Sequence, residues 1–400
     1  MNLMYRVRDP FRQGQVAISA LFFSLGFQYA TWASRLPAIK SHLGLTAAEV
    51  GLLLMATGIG AVAAFPLVTM LMRRMGSKHL ALASAAGLAL LLLAMSALPD
   101  YPVALLVMAC DGALVACLNV AMNAQGAALE VAHERNAMSK LHATFSGGSL
   151  AAALLASGMN AVTPTVAVHF AVAAALMLLV VGLPATGLLT ADRPADSSGQ
   201  EGRDGPDSGQ DKQRGRWTLP SRVTLWLGAA MVFGTVTEGA MNDWSALYLK
   251  DVAKASAELA PMGIAVVSVM MVLARVFADG WRSRWGDGVI VRAGSALAGA
   301  GLALALLSGG VVPALIGFAC VGLGIAAVTP CVYVAAAKQG SDALTVVATM
   351  GTVGLLAGPP VIGFIANASG LVWGLGAVAA SAGLVSLCST RIRWTAPVSG

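Results

Sequence analysis

The sequence predicts an all-α polytopic membrane protein, twelve transmembrane helices in two pseudo-symmetric six-helix bundles. Three observations predict it. Of the 400 residues, 57% are hydrophobic and only 11% charged, where a soluble domain carries about 25% charged residues. The apolar residues gather in runs of about 20, the length that crosses a bilayer as a helix. A single long polar stretch divides those runs six and six.

The first six spans are read at 14–36, 48–71, 79–98, 101–127, 139–161 and 164–188, the second six at 222–249, 258–280, 288–308, 311–336, 342–366 and 369–389. Arg6, Arg8 and Arg12 precede the first run, which is too long for the core of a signal peptide and is retained as a span. Pro102 and the Gly309-Gly310 pair mark very short turns between neighbouring spans. Gly358-Pro359-Pro360 is expected to break the eleventh span locally. The domains are then 1–189, a flexible cytoplasmic linker at 190–221 rich in Gly, Asp, Ser and Arg, and 222–400.

Cation placement sets the orientation. With the N-terminus cytoplasmic, about 20 of the 25 Lys and Arg residues fall on the cytoplasmic side. The other side keeps Arg35, Lys40, Lys250 and Lys254, and Arg275 lies inside a span. Such an asymmetry places both termini in the cytoplasm. The net charge of +6 therefore reflects topology; the cations form no basic face with interleaved aromatics, and nucleic acid is excluded as a partner.

The halves echo one another. Arg74-Met-Gly76 matches Arg284-Trp-Gly286, and Gly112-Ala-Leu matches Gly322-Leu-Gly, both at an offset of 210 residues. Parallel six-span repeats are a transporter architecture with the binding site at mid-membrane between them.

The residues that carry chemistry are polar groups inside spans, which are costly there and mark pathways or pairs. Glu238 and Asn242 in span 7 are four apart and share a helix face, whereas Asp243 is rotated by about 140° from Glu238. Glu238 is the candidate for proton coupling and solute binding, with Asn242 beside it; Asp243 and Trp244, nearer the outer end, are candidates for a gate. Asp111, midway in span 4, is a candidate proton relay, or it pairs with an amide or hydroxyl across the bundle. Asn119 and Asn123 follow on one face, available to a polar solute or to a neighbouring helix. His142 in span 5 carries the side chain whose charge changes near neutral pH; coupling and simple packing both remain open. Gln28, Tyr29 and Trp32 in span 1 and Tyr333 in span 10 are candidate cavity residues suited to a sugar ring. The five cysteines have no metal-ligand spacing and read as buried free thiols.

With Trp32-Ala-Ser-Arg-Leu-Pro-Ala-Ile-Lys40, Asn119-Val-Ala-Met-Asn-Ala-Gln125, Leu141-His-Ala-Thr-Phe-Ser146 and Glu238-Gly-Ala-Met-Asn-Asp-Trp-Ser245, the chain resembles the Major Facilitator Superfamily. It is most similar to the bacterial branch distantly related to fucose permeases. The resemblance implies an inner-membrane transporter working by alternating access. The superfamily signature between spans 2 and 3, Gly, three residues, Asp-Arg, one residue, Gly-Arg, falls here on Thr69, Arg73, Arg74, Gly76 and Ser77. Its first Gly and its Asp are absent. Glu130 and Glu134 are candidates to pair with Arg73 and Arg74 instead. In the second half the resemblance implies a gate brace of Arg275 and Asp279, four apart on one helix face, at the cytoplasmic end of span 8.

The function read from the sequence is secondary transport of a small polar, sugar-like solute, coupled to protons. The alternatives are a proton-antiport exporter of amphipathic compounds and a transporter-like sensor without flux. The drug-exporter signature in span 5 ends in Gly-Pro, whereas Gly147-Gly-Ser-Leu stands here. No phosphate-binding G-x-x-x-x-G-K-[ST] loop is present. No nucleophile–base constellation marks an enzyme. The expected partners are a small-molecule solute, a proton and the lipid bilayer, with no cofactor or metal, and the chain is expected to act as a monomer.

Overall fold

A computed structural model describes residues 9–135, 137–190 and 220–394. Nearly all of the expected linker lies outside the described residues. The first half comprises α1 (Pro10–Ser34), α2 (Leu36–Leu43), α3 (Ala47–Ala63), α4 (Phe65–Met95), α5 (Tyr101–His133), α6 (Met138–Val162) and α7 (Val166–Gly182). The second comprises α8 (Arg222–Leu247), α9 (Met262–Trp285), α10 (Asp287–Ser308), α11 (Val311–Ile325), α12 (Val328–Ala337), α13 (Ser341–Ser369) and α14 (Leu371–Arg391).

Each expected span has a helical counterpart. Span 2 is α3 continued into the first part of α4, bent at Ala64 where Pro66 cannot donate a helical hydrogen bond. Span 3 is the rest of α4, beyond Gly76. Span 10 is α11 and α12, divided at Ala326-Ala327. The ends follow local chemistry. Asp9 accepts from the Phe11 N–H at 3.1 Å and Pro10 opens α1; Thr46 and Glu49 form a reciprocal capping box at α3. A short helix, α2, lies between them and stops at Gly44, whose φ of 64° suits glycine.

The internal repeat is visible in the backbone. Gly76 has φ 74° and ψ 165°, and Gly286 has φ 79° and ψ 154°. Both are the turns that the 210-residue offset pairs. A Cβ on Gly112 would fall 1.7 Å from the Thr57 carbonyl of α3, and one on Gly322 would fall 2.6 Å from the Val267 carbonyl of α9. The same close crossing is thus made twice, α3 on α5 and α9 on α11. Likewise α1 packs on α6 as α8 packs on α13, and α4 on α7 as α10 on α14.

Between the halves, α3 packs on α13 and α6 on α9, while α1 touches α8. Gly51 and Gly363 let α3 and α13 approach closely; a Cβ on Gly51 would lie 2.7 Å from the Pro359 carbonyl. Contrary to expectation, Pro359 and Pro360 do not break the span, and α13 runs through them as one helix. In lipid a helix is the cheapest way to satisfy the surrounding backbone, so two missing donors are tolerated.

Two polar side chains hold the first half together at the end opposite α2. The buried Gln125 amide donates to Ser77 Oγ at 2.6 Å and to the Leu189 carbonyl at 2.8 Å, and accepts from the Leu189 N–H at 2.9 Å. Gln125→Ala leaves these groups unsatisfied and is expected to cost about 2–3 kcal/mol, read as a lower thermal midpoint of the purified protein. Glu130 does not reach back to Arg73 or Arg74. Its carboxylate accepts from the N–H groups of Ala137, at 2.5 Å, and Met138, at 2.8 Å, capping α6, whose own N-cap residue has no polar side chain. The cysteines are free, but Cys110 is exposed on the surface of α5 and Cys320 half-buried, so only Cys117, Cys331 and Cys388 are buried as expected.

Candidate functional site

Mid-depth between the halves, Arg275 of α9 reaches in two directions. Its Nη1 donates to Ser146 Oγ of α6 at 2.7 Å, and its Nη2 to Glu238 Oε1 of α8 at 3.2 Å. The guanidinium therefore holds one group from each half. Glu238 and Arg275 side chains are each 29% exposed, so the pair is only partly buried. Glu238 lies ~24 Å along α8 from Arg222, near the middle of that span.

The position of Arg275 differs from the one expected from sequence. Arg275 is bound to Glu238, and it sits near the middle of α9 rather than at its end. Asp279 occupies the same helix one turn on, but its side chain lies outside the described residues. At the end of α9 an ion pair joins Arg282 to Asp287, at 2.7 Å and 3.3 Å in a bidentate contact. Asp287 was missed, although the 210-residue offset makes it the counterpart of Ser77.

Consecutive residues of α1 reach two other carboxyl groups. Gln28 Nε2 donates to Asp111 Oδ1 of α5 at 2.7 Å, within the first half. The Tyr29 hydroxyl donates to Asp243 Oδ1 of α8, across the halves. Asp111 thus pairs with an amide, one of the two alternatives left open by its position. Asp243 and Glu238 point to different neighbours, α1 and α9, as their rotation along α8 requires.

Gln28 and Trp32 are not on a cavity wall. Gln28 is 0% and Trp32 1% exposed, and Trp32 packs edge-on against Tyr29 at 5.1 Å. Close packing of α1 against its neighbours covers the face on which they lie. Trp244 is buried too, whereas Asn242 is half-buried and donates to the Glu238 carbonyl at 3.2 Å. Asn119 and Asn123 stand on an open face of α5, joined by a 2.8 Å side-chain bond that leaves further donor and acceptor capacity. Tyr333 on α12 is 37% exposed. His142 is exposed at its edge and packs its ring against Phe22 at 4.9 Å.

Polar links join the two halves at the α2 end. Lys40 pairs with Asp251 at 2.5 Å, Ser157 Oγ donates to the Glu258 carbonyl at 2.6 Å, and Asn160 Nδ2 donates to the Ala257 carbonyl at 2.7 Å. Lys40 and Asp251 were not singled out from sequence; the signal was two opposite charges at the same end of spans 1 and 7.

Residues 16–342 match the Major Facilitator Superfamily model. An uncharacterised transporter of this type from Yersinia pestis is 33% identical over 377 residues, covering 91% of this chain and 92% of that protein. Membrane protein MosC of Rhizobium meliloti is 29% identical over 364 residues, 89% of this chain and 84% of that one. Among solved structures, the nucleoside transporter NupG aligns with a TM-score of 0.66 at 14% identity, over 96% of this chain and 98% of that one. FucP in its outward conformation aligns at 0.62 and 17% identity, over 97% and 100%. These last two likenesses concern the fold; the family match and the Yersinia relative carry the assignment. The chain belongs to the Major Facilitator Superfamily, a family of multi-pass membrane proteins that carry small-molecule solutes across the bilayer.

Proposed function

We propose that this protein is a secondary transporter that moves a small polar, sugar-like solute by alternating access in company with a proton. One observation supports this above the others. Arg275 is bonded at mid-depth to one residue of each half, with an acid as one of the two partners. When the halves rock, at least one of those bonds must yield. A proton on Glu238 removes the charge that holds Arg275 and frees the guanidinium for a solute hydroxyl or carboxylate. Asn242, Asn119, Asn123 and Tyr333 supply further hydrogen bonds along the open face. Asp111 and His142 are the reserve candidates for the proton.

The cation asymmetry puts both termini on the cytoplasmic side of the bacterial inner membrane and the α2 end outside. The Lys40–Asp251 and Tyr29–Asp243 links are then an outer gate in its closed position, with Asp243 and Trp244 on its inner side. A related fold is that of the fucose:proton symporter of E. coli, 16% identical with a TM-score of 0.60, and a polar solute with a proton fits the residues here.

The test is solute-dependent proton entry into proteoliposomes carrying a trapped pH dye, with a panel of neutral sugars, sugar acids and cationic dyes. A sugar or sugar acid that acidifies the lumen supports the reading, and extrusion of dye alone would replace it with export. The gate has its own prediction. Lys40→Asp should open the outer end, raising labelling of a cysteine placed at residue 47 several-fold, and the swap Lys40→Asp with Asp251→Lys should restore protection. Equal labelling in all three proteins would remove this pair from the gate.

A further inference from the structure

Arg35 lies in the 32–40 motif and has no part in the site above. It is 4% exposed, at the corner where α1 turns into α2. Its Nε–H donates to His169 Nδ1 at 3.0 Å, and Nη1 donates to the Pro164 carbonyl at 3.4 Å. Both acceptors are neutral. No carboxylate lies within ion-pair distance of it among the described residues. A guanidinium keeps its proton in a protein, so it cannot escape burial by becoming neutral as a lysine does. The carbonyl end of α1 offsets only a fraction of its charge.

Three buried polar groups of these segments have no partner among the described residues. Because Arg35 donates to Nδ1, His169 is the neutral tautomer with its proton on Nε2. That N–H is fully buried and has no acceptor among the described residues. Arg35 Nη2 and the buried Ser34 hydroxyl likewise have none. Helix α7 begins beside them, and its N-cap residue, Thr165, offers no side-chain bond to the first turn. A buried full positive charge with an unused N–H beside an uncapped helix N-terminus makes an anion site; the His169 Nε2–H, across the ring from Nδ1, points away from Arg35 and lies outside it.

We infer that the corner formed by the end of α1, the start of α2 and the start of α7 binds a small monovalent anion, with Arg35 as its counter-charge. Burial of Arg35 and His169 favours a compact anion that sheds its water, such as chloride, over a carboxylate or a lipid phosphate. The bound anion ties α1 to α7 next to Tyr29 and Lys40, the two α1–α2 residues that reach across the halves. It thereby braces the closed end without taking part in solute binding.

The experiment uses the purified full chain in detergent, with sodium chloride or bromide replaced by sodium gluconate at constant ionic strength and pH. Halide should raise the thermal midpoint saturably, by about 2 °C or more, and gluconate should not. Arg35→Gln should abolish the halide effect. Crystals of the unmodified protein grown in bromide should show an anomalous peak at the Arg35 guanidinium, which decides the matter if the variant fails to fold. Absence of that peak, indifference of the midpoint to halide, or a halide effect that survives intact in folded R35Q overturns the site and leaves the corner to water.

Discussion

Glu238→Gln is expected to abolish proton-driven accumulation of the solute while leaving the protein folded and able to exchange solute across the membrane. A proton moving down 100 mV supplies about 2.3 kcal/mol, enough for roughly 50-fold accumulation at one proton per solute. Without a titratable group at Glu238 that gradient cannot be used, and the ratio should fall to about one. Glutamine preserves the shape and still offers a carbonyl to Arg275, so packing of α8 on α9 should survive. The measurement is uptake into liposomes under an imposed potential, beside counterflow without one. Accumulation that persists in Glu238→Gln and disappears in Asp111→Asn would move the coupling to the Gln28–Asp111 pair of the first half. Persistence in both would leave His142 to be tested.

Much of this fold was legible because lipid allows so few solutions. Backbone groups in the bilayer must be satisfied within the helix, so spans announce themselves as apolar runs, and the 210-residue offset found the turns at Gly76 and Gly286. Partners were harder to read. Spacing along one helix suggested Arg275 with Asp279, whose side chain lies outside the described residues; it could not suggest Glu238, which the packing of α8 brings from 37 residues away. Gln28 and Trp32 fail for a related reason. A helix that is apolar on every side gives no periodicity to tell a cavity face from a packed one, and only the neighbours of α1 reveal that both are buried. Pro359 and Pro360 were read by a rule for soluble helices, where water competes for the freed carbonyls. What the sequence did locate was the set of spans worth searching, since acids inside them are expensive.

Arg275→Ala should destabilise the protein more than Glu238→Gln does, and the reason is an asymmetry within the pair. Removing the cation strands a carboxylate at mid-depth, whereas removing the acid's charge leaves Arg275 with the Gln carbonyl and Ser146. Breaking a fully buried pair from one side costs about 3–5 kcal/mol. At 29% exposure each, screening by solvent removes part of this, and roughly 1–2 kcal/mol is expected. Glu238→Gln added to Arg275→Ala removes the stranded charge and should recover most of that loss in thermal unfolding, without recovering transport. The two properties part because stability needs only the absence of an unpaired ion, while the proposed cycle needs a cation that both halves can hold. A double variant no more stable than Arg275→Ala would mean that the lost contact is the one to Ser146, and that Arg275 serves to join α9 to α6 rather than to neutralise Glu238.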